Sequence, residues 1–170
     1  MKYKYCYKCG QQTQSIQTEG RIRQYCPDCE EILYKNPIPS VAVCATNPEG
    51  QLLLVKRNVK PQKGGWCLPG GFVESNETIR ETALRELKEE TGLNGSIKKL
   101  LGAYSHVEGH YGNVLLIGFV VSLSEYDLKA GDDASQARFF DWEELPEIVF
   151  RIHNKFINQY RDILDKEVGG

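Results

Sequence analysis

Between Gly71 and Leu93 the chain reads Gly71, five residues, Glu77, seven residues, then Arg85-Glu86-Leu87-Lys88-Glu89-Glu90-Thr91-Gly92-Leu93. At about 100° per residue, Glu86, Glu89 and Glu90 share about one third of a helix circumference. Like charges at that spacing destabilise a bare helix by about a few tenths of a kcal/mol each, so the cluster calls for a positive partner. Mg²⁺ or Mn²⁺ suits it, since both are hard ions that take carboxylate and water oxygens. The plainer alternative is a solvated face on which Glu81, Arg85 and Lys88 make surface pairs.

A helix must carry these carboxylates, and a loop must bring chain to them. Ser75 or Asn76 is the expected N-cap, with Glu77 in the first turn where the helix dipole favours an anion. Ile79, Ala83, Leu84 and Leu87 supply a buried stripe at helical spacing, and Gly92 ends the helix. Upstream, Gly64-Gly65-Trp66-Cys67-Leu68-Pro69-Gly70-Gly71 reads as a turn whose glycines let backbone approach a ligand closely.

A second constellation lies near the N-terminus. Cys6-x2-Cys9 and Cys26-x2-Cys29 have the spacing of a zinc ribbon, two knuckles whose four thiolates close a tetrahedral Zn²⁺ site. Gly10 follows the first knuckle, Pro27 sits inside the second, and Gln11 to Gln24 is polar enough for a hairpin arm. A segment of about 35 residues buries too little apolar surface to fold alone, whereas bound zinc contributes about 10–16 kcal/mol in apparent terms. Two disulfides or a redox pair are the competing readings. No signal peptide is read before Met1-Lys2-Tyr3, so a reducing, cytoplasmic setting is expected and disulfides are disfavoured. Cys44 and Cys67 read as small buried hydrophobes.

With 170 residues, 41% of them hydrophobic and 26% charged, the chain can build one ordinary core and a small appendage. No run approaches the eighteen or so apolar residues of a membrane span. Residues 1 to 39 carry six Lys/Arg against four Asp/Glu, and residues 40 to 170 carry fifteen against nineteen. Neither balance gives the basic surface typical of nucleic-acid binding. The alternation of Tyr3, Tyr5 and Tyr7 with Lys2, Lys4 and Lys8, together with Tyr25, would put aromatics on one face of a strand. That face suits base stacking or packing on the main domain, and packing is favoured at so small a charge excess.

Asn36-Pro37-Ile38-Pro39 marks a junction, giving a zinc ribbon over residues 1–35 and a main domain over 40–166. Strands are expected at Ser40 to Thr46 and Gln51 to Arg57, joined by the turn Asn47-Pro48-Glu49-Gly50. Ser96 to Val107 and Asn113 to Leu123 follow the carboxylate helix, the latter as a central strand. Ala137 to Asp141 is a shorter strand, and Ile148 to Leu164 a closing helix with Ile152, Phe156, Ile157, Tyr160, Ile163 and Leu164 at helical spacing. His153 in that helix reads as a surface or packing residue.

The run from Gly71 to Leu93 matches the Nudix box at every specified position, so the chain resembles Nudix hydrolases, enzymes that cleave a nucleoside diphosphate linked to another group. The resemblance implies an α/β fold, an α/β/α sandwich with a mixed sheet between helices, preceded here by the small zinc-ribbon domain. It also implies a divalent metal held by Glu86 and Glu90, with Glu89 a further ligand or a base for water and Gly70 offering its backbone carbonyl. Arg85 and Glu77 would pair to hold the loop against the helix. Several Nudix groups carry an N-terminal zinc ribbon, best known the NADH pyrophosphatases. Their Ser-Gln-Pro-Trp-Pro-Phe-Pro-Ser array is missing from Tyr104-Ser105-His106-Val107-Glu108-Gly109-His110-Tyr111-Gly112-Asn113.

A closer likeness is to the smaller zinc-ribbon FAD and ADP-ribose pyrophosphatases. It rests on Tyr34-x-Asn36-Pro37, Lys56-Arg57-Asn58-x-x-Pro61, Trp66-x-Leu68-Pro69 and Arg138-Phe139-Phe140 before Glu144-Leu145-Pro146. Asp133 stands where such proteins usually have a glutamate, which makes it a second candidate base. Arg57 reads as a phosphate contact or as a surface charge at a strand end, and Tyr104, His106 and Tyr111 read as rings to stack on an adenine or flavin or as strand-end packing. A small nucleotide is thus the expected partner, while specificity in this fold comes from loops and often from a partner subunit, which keeps a homodimer open. An NADH or NAD pyrophosphatase is the nearest competitor. From other classes come a nucleotide-sensing regulator, although the box keeps all four of its glutamates, and a nucleic-acid-binding ribbon.

Overall fold

The computed structural model describes residues 3–168, without the side chains at 108, 167 and 168. Lys2, counted above among the alternating basic residues, lies outside them. The chain divides into two compact units that meet in sequence at Asn36 and Pro37.

In the first unit β1 (Gln14–Thr18), β2 (Arg21–Cys26) and β3 (Glu31–Leu33) form an antiparallel sheet in that order. The expected strand through Tyr3, Tyr5 and Tyr7 does not form. Cys6 to Gly10 is instead a tight knuckle closed by the Gly10 N–H donating to the Cys6 carbonyl at 2.8 Å, with Gly10 at φ +77°. A turn has no single face, so Tyr5 and Tyr7 stand 65% and 69% exposed.

The second unit runs β4 (Ile38–Cys44), β5 (Leu52–Arg57), β6 (Trp66–Cys67), α1 (Ile79–Thr91), β7 (Gly95–Gly109), β8 (Gly112–Leu123), β9 (Ala134–Phe140) and α2 (Arg151–Val168). One sheet has the order β4-β8-β7, with β4 parallel and β7 antiparallel to β8. It is therefore mixed, and the apolar run of β8 occupies its centre. A second sheet, β6-β5-β9, is antiparallel.

Alternation along β4 sorts the core into two layers. Val41, Val43 and Ala45 meet Ala83 and Leu87 of α1, while Ala42 and Cys44 meet Phe156, Ile157 and Tyr160 of α2. A strand covered on both faces has to be apolar throughout, which is why residues 41 to 45 show no polar alternation. The result is the α/β/α sandwich.

Two boundaries depart from expectation. The N-cap of α1 is Thr78, not Ser75 or Asn76, because Thr78 and Glu81 satisfy each other's backbone amides in a capping box. Glu77 consequently sits before the helix, and Ile79 in its first turn is 38% exposed rather than buried. The closing helix starts at Arg151, since Ile148 bridges Trp66 as extended chain.

Candidate active site and cysteine cluster

Six of the thirteen α1 residues are buried, and they include two carboxylates, Glu86 and Glu90, 9% and 4% exposed. Both line a cavity of about 670 Å³ that also takes in Arg57, Gly70, His106, Tyr111 and Asp133. The expected loop approach is realised at Gly70, whose backbone N–H donates to Glu90 at 2.9 Å. Gly71 lies so close to Glu86 that a Cβ there would overlap its carboxylate.

Arg85 organises the entrance. Its Nε and Nη2 donate to the two Glu77 oxygens at 3.0 and 2.7 Å, and its Nη1 to Glu86 and Glu89 at 2.8 Å each. A further bond from Nη2 to the Phe72 carbonyl at 3.2 Å ties the loop to the helix. The guanidinium holds the Glu77 carboxyl down at about 2. Burial acts oppositely on the inner pair: it raises Glu86, and it pushes Glu90 up to about 8 against the pull of the Gly70 amide, with Glu86 adding repulsion.

Asp132 and Asp133 line the same cavity and add repulsion on Glu86 and Glu90 respectively. With Glu74, five carboxylates thus line one space together with Arg57, whose charge acts on Glu90. Hard oxygen donors crowded until burial resists their ionisation fit a divalent cation, which would relieve the repulsion.

The other residues singled out in the sequence separate into two groups. Arg57 donates from Nε to the Pro61 carbonyl at 2.8 Å and lies over the Phe150 ring at 5.1 Å. Tyr111 donates to the Lys60 carbonyl at 2.9 Å and meets Phe72 edge-on at 5.1 Å. These two and His106 share the cleft. Tyr104 does not: it packs on Phe156 at 5.2 Å under the Lys155 ammonium, where α2 covers the sheet. Glu89, on the outer side of the Arg85 fork, is not part of the cavity wall.

Residues missed in the sequence are Phe72, Asp132, Phe150, Arg151 and His153, all on the wall. Phe72 alone carried a signal, being next to the box glycine. Cys44 and Cys67 are buried, and burial raises the Cys67 thiol to about 12, which leaves it inert at neutral pH.

In the first unit the ligand atoms of Cys6, Cys9, Cys26 and Cys29 lie within 4.8 Å of one another. All four are free thiols, and the Cys6–Cys29 and Cys9–Cys26 sulfurs are 4.0 and 3.5 Å apart, well beyond a bond of about 2.05 Å. Backbone N–H groups of Cys9 and Lys8 hold the Cys6 thiol down at about 7. Four sulfurs at this spacing fit a tetrahedral cation. Among the described residues this is the one cluster of three or more such side chains whose ligand atoms already converge; the box carboxylates are still engaged with Arg85 and Gly70.

A family model described as the NUDIX domain matches residues 36–160. The chain is 46% identical over 124 residues to an ADP-ribose pyrophosphatase of Methanocaldococcus jannaschii, covering 72% of this chain and 73% of that protein. It is 31% identical over 150 residues to the NAD-capped RNA hydrolase NudC of Haemophilus influenzae, covering 86% of this chain and 54%, about half, of that protein. A crystal structure of a NUDIX hydrolase from Nitrosomonas europaea superposes with a TM-score of 0.82 at 31% identity, covering 95% of this chain and 91% of that one.

Proposed function

The chain belongs to the NUDIX family, and from that premise we propose a divalent-metal-dependent hydrolase that cleaves the diphosphate of ADP-ribose, or of FAD, to AMP and a second phosphorylated product. The observation that carries this reading is the buried pair Glu86 and Glu90 lining one cavity with Arg57. A diphosphate fits such a site, since its charge needs cationic partners on both sides and its linkage needs an ordered water.

Glu86 and Glu90, with Glu89 and the Gly70 carbonyl, would hold Mg²⁺ or Mn²⁺. Such an ion, when bound, supplies charge neutralisation at phosphate oxygens and acidifies water. The chain's own residues do the rest. Arg57 binds a phosphate oxygen through the guanidinium face left free by the Pro61 bond. Asp133 or Glu89 takes a proton from the attacking water as its oxygen bonds to phosphorus and the bridging P–O bond breaks. Tyr111 and His106, with Phe72 beside them, offer ring faces to the base. Loss of the NADH pyrophosphatase array, and the 46% identity to an ADP-ribose pyrophosphatase, favour ADP-ribose.

The same reading assigns structural Zn²⁺ to Cys6, Cys9, Cys26 and Cys29 in a ribbon domain ahead of the hydrolase domain. It sets both in the cytoplasm, where thiols stay reduced. Among the described residues no helix is long and apolar enough to cross a membrane.

The test is a panel of ADP-ribose, FAD, NADH, CoA, dinucleoside polyphosphates and nucleoside triphosphates with Mg²⁺ and Mn²⁺, products scored by mass. ADP-ribose should give AMP and ribose 5-phosphate, with solvent ¹⁸O in one product phosphate only. A kcat/KM for NADH or a nucleoside triphosphate at least about tenfold above both ADP-ribose and FAD, about 1.4 kcal/mol in transition-state stabilisation, would overturn the substrate choice. The similarity to NudC makes NADH the sharpest competitor.

A further inference from the structure

His153 stands in the first turn of α2, at a position whose periodicity reads as packing, yet its ring lines the cavity that holds the box carboxylates. It is 8% exposed. Nδ1 accepts the Leu68 backbone N–H at 3.1 Å. An acceptor nitrogen carries no proton, so the ring proton of the neutral form sits on Nε2. Burial, then the nearby Arg57 charge, lower the histidine to about 3 and keep it neutral.

Among the described residues Nε2 has no hydrogen-bond partner, and it is not sealed from solvent either. Among the described residues Gln159 Oε1 is the one buried side-chain polar atom that is both enclosed and unpartnered. The Nε2–H therefore opens on the cavity its ring lines. Arg57 is the charge that acts on the histidine, in a cavity whose lining also holds carboxylates. The Phe150 ring lies 5.1 Å from the His153 ring and 5.1 Å from the Arg57 guanidinium. Arg151 lines the cavity at the start of α2, an 18-residue helix whose first amides carry partial positive charge.

Two arginines, a helix N-terminus and a fixed neutral donor lining one cavity describe a place for an acceptor-rich anion. We propose that His153 is a substrate-binding residue whose Nε2–H donates to a phosphate oxygen of the phosphoryl group seated between Arg57 and Arg151. Its locked tautomer can only donate, which suits a phosphate oxygen and gives nothing to a donor group. Being neutral, it adds direction without adding repulsion to a cation held by the carboxylates of the same cavity. This assignment rests on the hydrolase reading for the substrate, but the subsite itself is a phosphate site.

Asparagine and glutamine separate the two nitrogens. His153→Asn leaves an oxygen where Nδ1 sits, keeping the acceptor for Leu68, and removes the donor at Nε2. His153→Gln carries an amide donor out to the Nε2 position. In the full chain, ¹⁵N imidazole spectra should place the His153 proton on Nε2 and shift that resonance saturably with inorganic phosphate and with AMP. His153→Asn should weaken phosphate binding and raise the KM for ADP-ribose about tenfold with kcat changed less than threefold, and His153→Gln should recover most of the loss. An Nε2 resonance unmoved at saturating phosphate, or a His153→Asn phosphate affinity within twofold of the parent, would overturn the proposal. The spectra read the parent protein, so they decide even if a variant fails to fold. Phosphate binding needs no turnover, so a chain inactive on the whole substrate panel would sink the hydrolase reading and leave this subsite standing.

Discussion

The Gly70 backbone N–H donates to the Glu90 carboxylate at 2.9 Å, across twenty residues of sequence. One side chain thereby serves two ends: it latches the glycine loop to α1 and offers the cavity a carboxylate that a bound cation would keep ionised. Glu90→Gln separates them, because its carboxamide oxygen can still accept from Gly70 while the charge is gone. Turnover with Mg²⁺ or Mn²⁺ should fall by more than about 100-fold, with an unchanged far-UV spectrum and no loss of melting temperature. Parental rates on every substrate of the panel would mean the metal site lies elsewhere.

The cysteine cluster predicts a second, independent metal. Elemental analysis should find one zinc per chain, retained through mild EDTA treatment that already abolishes hydrolysis, because thiolate and carboxylate sites differ in softness. Cys26 is fully buried, so Cys26→Ser should release the zinc and expose residues 3 to 36 to protease. Protein free of zinc, with thiol counts that fit two disulfides, would reverse the assignment.

What the sequence made legible is what short-range geometry decides. Glu86 and Glu90 share a helix face wherever a helix forms, and two Cys-x2-Cys knuckles converge whenever a hairpin joins them. Tyr104 and His106 illustrate the opposite case. Two residues apart on β7, they share a sheet face by the pleat, yet Tyr104 lies under α2 against Phe156 and His106 lines the cleft. Where a helix begins over a sheet is a tertiary fact. The same start at Arg151 turns His153 from a helical packing position into part of the wall, and a reciprocal Thr78–Glu81 cap outcompetes the earlier Ser75 and Asn76.

His153 also fixes a pH dependence. Its value falls from 6.5 to about 3 on folding, through burial first and the Arg57 charge second. Below 6.5 the unfolded chain binds a proton that the folded chain refuses. The stability held by neutral His153 is therefore complete above pH 6.5 and drains as pH falls toward 3, at up to about 1.4 kcal/mol per pH unit. Urea unfolding at pH 7.5 and pH 5 should show the parent losing more stability than His153→Asn over that interval. Equal losses in the two proteins would place the acid sensitivity in other groups.

Adjacent glycines at the cavity should fail in different ways when given a methyl group. At Gly70, φ is +151°, and a Cβ would overlap the Val41 carbonyl in the buried strand β4. Neither the backbone angle nor the strand can yield cheaply, so Gly70→Ala should cost folding stability, about 2 kcal/mol or more. At Gly71 the overlap is with the end of the Glu86 side chain, which can swing away. Gly71→Ala should therefore fold with a melting temperature within a few degrees of the parent, but with Glu86 pushed off its position beside Arg85. Because Glu86 is one of the two buried carboxylates on the cavity wall, kcat/KM should drop at least about tenfold. The diagnostic is the split between the two measurements: Gly71→Ala with parental kcat/KM would show that the Glu86 position does not matter to the reaction, and with it the assignment of the inner carboxylate pair would fail.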